Sequence, residues 1–143
     1  MNRTYLILIF LFTISACSSP FPGGKLSGTI TPIQQDWLGV TEAEVIQIET
    51  NPTDPYSVHL WVTVMDGAPY IHAGANRATW VEHIETDPLV VLGHEEKLYE
   101  LVAQRVTSPE EFTRLSEIYK TKYGNYPRNP DIKEVYLYRL EPR

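Results

Sequence analysis

Cysteine is nearly missing from this chain: Cys17 is the only one in 143 residues. No intrachain disulfide can form, and a four-cysteine zinc site is excluded. Basic residues are in the minority. Twelve Lys and Arg against 18 Asp and Glu leave a formal net charge of −6, so a broad basic surface for nucleic acid is not expected. Histidine is scarce as well. His59, His72, His83 and His94 form no His-x-x-x-His pair and no metal spacing with nearby acids, and no metal site is expected. Gly-x-Ser-x-Gly does not occur. Gly23, Gly24 and Gly28 lack the Lys-Ser ending of a phosphate loop. Neither a serine hydrolase nor a nucleotide-triphosphate loop is indicated. What is present is ample apolar material: 43% hydrophobic and 11% aromatic residues. That composition suits one packed domain and excludes a disordered chain.

The unbroken apolar run at 6–12 follows Arg3. It is far short of the roughly 20 residues of a membrane-spanning helix and has the length of a signal-peptide core. Ile14-Ser15-Ala16-Cys17 comes next. This resembles the lipobox of bacterial lipoproteins, with an ordinary secretory signal as the alternative reading. The resemblance implies cleavage before Cys17 and lipidation of its thiol. It places the protein in the bacterial cell envelope, lipid-anchored to a membrane. Ser18, rather than Asp, implies the outer membrane, facing the periplasm. The expected organisation is a signal peptide over 1–16, the lipidated Cys17 with a Pro/Gly/Ser-rich tether over 17–36, and a domain over 37–143.

Within the domain, alternation over 44–49 reads as a strand with one wet face. Asn51-Pro52-Thr53-Asp54-Pro55 ends it. A β-branched and aromatic run over 57–65 reads as one strand, with Val58, Leu60, Val62 and Val64 opposite Trp61 and Thr63. Asp66-Gly67 is a tight-turn signal, and 69–73 returns as the second hairpin arm. Trp80, Val81 and Ile84 mark a short helix over 78–85, stopped at Asp87-Pro88. Two further strands follow over 89–92 and 98–106. Ser108-Pro109-Glu110-Glu111 reads as a capping box with Glu111 reaching back to the cap. The helix it opens carries the stripe Phe112, Leu115, Ile118, Tyr119 and Lys122, and Gly124 stops it. A last strand covers 135–140. About six antiparallel strands and two helices cannot make a doubly wound parallel sheet. They favour a mainly β, α+β domain: a small antiparallel barrel.

From Glu44 onward this order resembles the flavin-binding split β-barrel superfamily, with its pyridoxamine-phosphate-oxidase-like and deazaflavin-dependent nitroreductase-like branches. The resemblance rests on Tyr70-Ile71-His72-Ala73-Gly74, on Arg77-Ala78-Thr79-Trp80-Val81-Glu82-His83-Ile84, on Asp87-Pro88-Leu89-Val90 and on the closing Tyr138-Arg139-Leu140-Glu141-Pro142-Arg143. It implies a split barrel, a flavin-type cofactor, reduction of a small oxidised substrate and a homodimer. FMN is the favoured cofactor. The acidic or neutral stretch from Glu49 to Pro55 stands where the nitroreductase-like branch is basic, which disfavours a deazaflavin. The same departure keeps open a non-enzymatic ligand-binding or envelope-interaction module with a degenerate pocket.

Carried over residue by residue, the resemblance points to His72, Gly74, Asn76, Arg77 and Trp80 as the cofactor-binding set. Each has a second reading. Arg77 grips a phosphate or is a solvated arginine at a helix start. Trp80 stacks beside a ring or anchors its helix in the core. His72 hydrogen-bonds the ligand or is structural. Glu49 and Asp54 form an acid pair or are solvated. Tyr119, Tyr123, Tyr126, Tyr136 and Tyr138 are expected to pack core and rim.

Overall fold

The computed structural model describes residues 22–33 and 37–143. Cys17, the signal peptide and the start of the tether lie outside the described residues. The elements are β1 (Thr29–Ile30), α1 (Leu38–Glu42), β2 (Val45–Thr50), β3 (Tyr56–Trp61), β4 (Thr63–Met65), β5 (Ala68–Ala73), α2 (Thr79–Thr86), β6 (Leu89–His94), β7 (Lys97–Arg105), α3 (Pro109–Tyr123), a 3-10 turn (Ile132–Glu134) and β8 (Tyr136–Pro142). Hydrogen-bonded neighbours run β3-β2-β6-β7-β8-β5-β4, and every pairing along that path is antiparallel. The two ends of the path, β3 and β4, are consecutive in the chain. The sheet therefore rolls round and is closed by a single bent segment: the antiparallel split barrel, mainly β.

The bend is where the expected single strand over 57–65 divides. Val62 sits between β3 and β4 with its backbone groups taken by side chains of α3. Its N–H donates to the Tyr123 hydroxyl at 3.0 Å, and its carbonyl accepts from Lys122 Nζ at 2.8 Å. With those groups turned towards a helix, the ladder cannot continue. The side-chain alternation runs on through the bend: Val58, Leu60, Val62 and Val64 all pack on one core cluster, whereas Met65 on the opposite face joins another. Asp66 (φ 52°) and Gly67 (φ 74°) then form the hairpin turn, with positive φ at both central positions as a twisted hairpin requires.

Burial divides at β8. Tyr138 and Leu140 face a larger cluster with Ile46, Ile48, Ile71, Leu92, Leu101 and the α2 residues Trp80, Val81 and Ile84. Val135 and Leu137 face a smaller one, completed by Phe112 and Leu115 of α3. The α3 cap works as expected at the Ser108 oxygen, which accepts from Glu111 N–H at 3.2 Å. Its return half differs. The Ser108 hydroxyl donates to Glu110 at 2.9 Å. Glu111 instead accepts from the Tyr70 hydroxyl and from Arg139, both at 2.8 Å. A carboxylate that can tie α3 to two strands gains more than one that closes a local cap. Ile118, placed on the buried stripe, is 37% exposed. Gly124 ends the helix at φ 80°.

Part of the stretch expected as a tether lies on the barrel. Gly23 exchanges two 2.8 Å hydrogen bonds with Ser57, and Leu26 N–H donates to Glu49 Oε2 at 2.5 Å. β1 then adds in parallel to β7. This strap and the helix α1 bring the element count above the six strands and two helices expected.

Candidate functional site

Three elements converge beside the bend. β3 ends in Trp61, β5 delivers His72 opposite Leu137 of β8, and α3 presents Tyr119 from its inner stripe. The loops 74–76 and 125–130 complete a groove of about 670 Å³, within the usual range for small-molecule sites. One wall is aromatic. Trp61 stacks on Tyr123 with centroids 4.6 Å apart and planes 8° from parallel. Tyr119 is tilted against both rings, and His72 meets Tyr119 edge-on at 5.2 Å. Trp61 remains 43% exposed, so a large ring that is held firmly on one side is left open to the groove.

The charges of the groove are simple. Among the described residues Arg128 is the only charged side chain lining it, and no carboxylate does. Burial pushes the His72 imidazole below its ordinary pKa, so the ring is neutral at pH 7. Burial raises the Tyr119 phenol, and the nearby Arg128 charge opposes that rise. Burial pushes Tyr123 up to about 12, against the lowering effect of its bond to Val62. The groove is thus a mostly neutral aromatic slot with one cation at its rim.

Of the residues expected at the site, His72, Gly74 and Asn76 line this groove. A Cβ built on Gly74 would meet nothing within 4 Å, so the backbone there is open to a ligand. Arg77 and Trp80 are elsewhere. Arg77 is hydrogen-bonded to Glu85 and lies 3.9 Å from Glu82, both on α2. Trp80 is 4% exposed, edge-on to Tyr138 at 6.0 Å. It anchors α2 in the larger cluster. Of the two readings for Glu49 and Asp54, the solvated one fits Asp54 and neither fits Glu49. Glu49 is buried under Leu26, and Asp54 is exposed in the turn. Trp61, Tyr119 and Arg128 were not among the expected residues. Trp61 showed one signal: a tryptophan opposite the apolar face of its strand.

Two other hollows are less suited to a ligand. One of about 250 Å³ lies under the strap, where Glu49 is held by Leu26 and Arg143 by Glu100, Val90 and Leu101. The other, about 480 Å³ beside Tyr70, holds the pairs Arg114–Asp66 and Arg139–Glu111, with Glu110 accepting from the Ser108 hydroxyl. No group of three or more metal-ligating side chains occurs among the described residues.

No protein-family model matches the sequence, and neither does any curated protein. Solved structures do. A NimC/NimA family protein from Clostridium acetobutylicum matches with a TM-score of 0.60 and 15% identity, over 76% of this chain and 81% of that one. A conserved hypothetical protein from Mycobacterium tuberculosis matches at 0.58 and 21%, over 73% and 76%. An FAD-binding protein from Mesorhizobium loti matches at 0.53 and 14%, over 74% and 86%. At these identities the likeness is one of fold, and it is the split-barrel fold.

Proposed function

We propose that the groove between β3, β5 and α3 holds the ring of a flavin-type cofactor, FMN in the first place. On this reading the chain reduces a small oxidised substrate. The exposed face of Trp61, fixed by Tyr123 and flanked by neutral His72 and by Arg128, is the observation that carries the reading. A flat ring can lie on such a wall, its polar edge can meet His72 and Asn76, and open backbone at Gly74 allows close approach. The FAD-binding neighbour supports the same ligand class. Hydride chemistry would come from the bound cofactor, and the chain would bind it, orient it and exclude water. We further propose that a lipid on Cys17 holds the protein at the bacterial envelope, in the outer membrane facing the periplasm, and that two copies pair as a homodimer.

Absorbance and thermal unfolding test the cofactor claim. The purified chain should quench flavin fluorescence, and its midpoint should rise with added FMN. Binding linkage stabilises by about 2.7 kcal/mol at a ligand concentration of 100 times Kd. Trp61→Ala should weaken binding by roughly tenfold, the worth of one good ring contact. A chain indifferent to FMN at every concentration would end this reading. It would favour the second one, a non-enzymatic ligand-binding or envelope-interaction module. One observation speaks for that alternative: Arg77 is already occupied by Glu85 and Glu82.

A further inference from the structure

We infer that Arg128 selects the occupant of the groove, and that it selects a planar ring carrying an anionic group. The inference rests on the flavin reading and sharpens it, because it separates phosphorylated from unphosphorylated ligands and names the residue responsible.

The argument starts from how this chain uses its arginines. Acidic residues are in excess, and the described arginines at 77, 105, 114, 139 and 143 each lie against at least one carboxylate. Arg128 has no carboxylate partner among the described residues. It is exposed, and it stands at the rim of a groove that contains no acid. Its charge reaches the Tyr119 phenol on the aromatic wall. A guanidinium left unpaired beside a neutral slot is a fork open to an anion, and it can bind a phosphate through two parallel hydrogen bonds.

The loop that carries Arg128 is braced from both sides. Pro127 and Pro130 restrict the backbone around it. Asn129 accepts from Asp131 N–H at 3.0 Å and donates to Glu134 at 2.9 Å. Asp131 in turn accepts from Lys133 N–H at 2.9 Å. The arginine is therefore presented from an ordered loop, which lowers the entropy lost on binding. Arg77, which the sequence resemblance put in this role, is turned to α2 instead. The distribution of charge moves the anion contact from the helix start to the loop after α3.

Titration of the full chain with FMN and with riboflavin, followed by flavin fluorescence, tests this directly. The two probes share a ring and differ in the phosphate. FMN should bind roughly 10- to 100-fold more tightly, the worth of a charge-assisted contact. Arg128→Ala should bring FMN down to the riboflavin level and leave riboflavin unchanged. Arg128→Lys should restore part of the preference, and added salt should weaken FMN but not riboflavin. Arg77→Ala should leave the preference intact. The Arg128→Ala midpoint in thermal unfolding should match the parent, because the side chain is exposed. Equal binding of the two flavins, or a preference that survives Arg128→Ala, would overturn this inference while the flavin reading stood. Failure of both flavins to bind would overturn both.

Discussion

Tyr123→Phe is the most informative single perturbation of the barrel, because it removes one oxygen and keeps one ring. In the parent, that oxygen accepts from Val62 N–H at 3.0 Å, and it lies 2.6 Å from the Val62 carbonyl and 2.9 Å from the Glu44 carbonyl. Val62 is 1% exposed, so water cannot easily replace the lost acceptor. The Val62 carbonyl keeps Lys122 at 2.8 Å. The substitution therefore orphans one buried N–H, and leaving such a group unsatisfied costs about 1–3 kcal/mol. For a domain of this size each kcal/mol lowers the midpoint by roughly 3–6 °C. Phenylalanine retains the stack on Trp61, so near-ultraviolet circular dichroism of the aromatic wall should change little. Tyr123→Ala removes hydroxyl and ring together, and should destabilise further and weaken flavin binding as well. A Tyr123→Phe protein that melts with its parent would refute the claim that this hydroxyl maintains the bend.

Other measurements probe the remaining contacts. His72 has its folded pKa held below the ordinary value by burial, so near pH 6 the unfolded chain binds more protons than the folded one. Its contribution is complete above the unfolded pKa of about 6.5 and is lost as pH falls towards the folded value. The midpoint difference between the parent and His72→Asn should accordingly shrink as the solution is acidified from neutral, and a constant difference would count against a buried neutral ring. Tyr70 and Tyr123 both have pKa values raised to about 12 by burial. Stability should therefore decline as pH climbs from about 10 to 12, where the unfolded phenols ionise first; a flat alkaline profile would contradict this. Ser108→Ala should cost about 1 kcal/mol in chemical denaturation through the lost α3 cap. Cys17→Ser should move the protein from the membrane to the soluble fraction, and retention in the membrane would argue against lipidation.

Local signals in the sequence carried most of the elements. The Asp66-Gly67 turn, the Gly124 stop and the Asp87-Pro88 break each act within a few residues and have the expected geometry, and so does the accepting half of the Ser108 cap. Alternation was equally readable in β2, where Ile46 and Ile48 are buried. It holds through Val62 too, but the break in the backbone ladder there has no local signal, because its cause lies 60 residues away on α3. The strap was hidden for a related reason. Its glycine- and serine-rich composition reads as a tether, yet its order comes from hydrogen bonds to Ser57, Glu49, Glu96 and Leu98. No local pattern announces a backbone partner that far along the chain.

The site shows the same division more sharply. His72, Gly74 and Asn76 reach one groove together because they share one strand end and its loop. That Trp61 and Arg128 line the same groove was not legible, because it depends on the company each keeps. The Trp61 face is presented only because Val62 turns towards α3 and Tyr123 supports the ring from behind. Arg128 has no carboxylate partner among the described residues, whereas Arg77 is drawn away from the groove by Glu85, two turns further along α2. A one-dimensional reading assigns roles by residue type and position, and an arginine beside a helix start outranks one between two prolines. In three dimensions the deciding quantity is which cation still lacks a partner, and that quantity depends on every carboxylate the fold brings near. The bend at Val62 and the position of Arg128 share one element: α3 holds the Val62 backbone through Tyr123 and Lys122, and in doing so it sets the aromatic wall and the following loop on the same side.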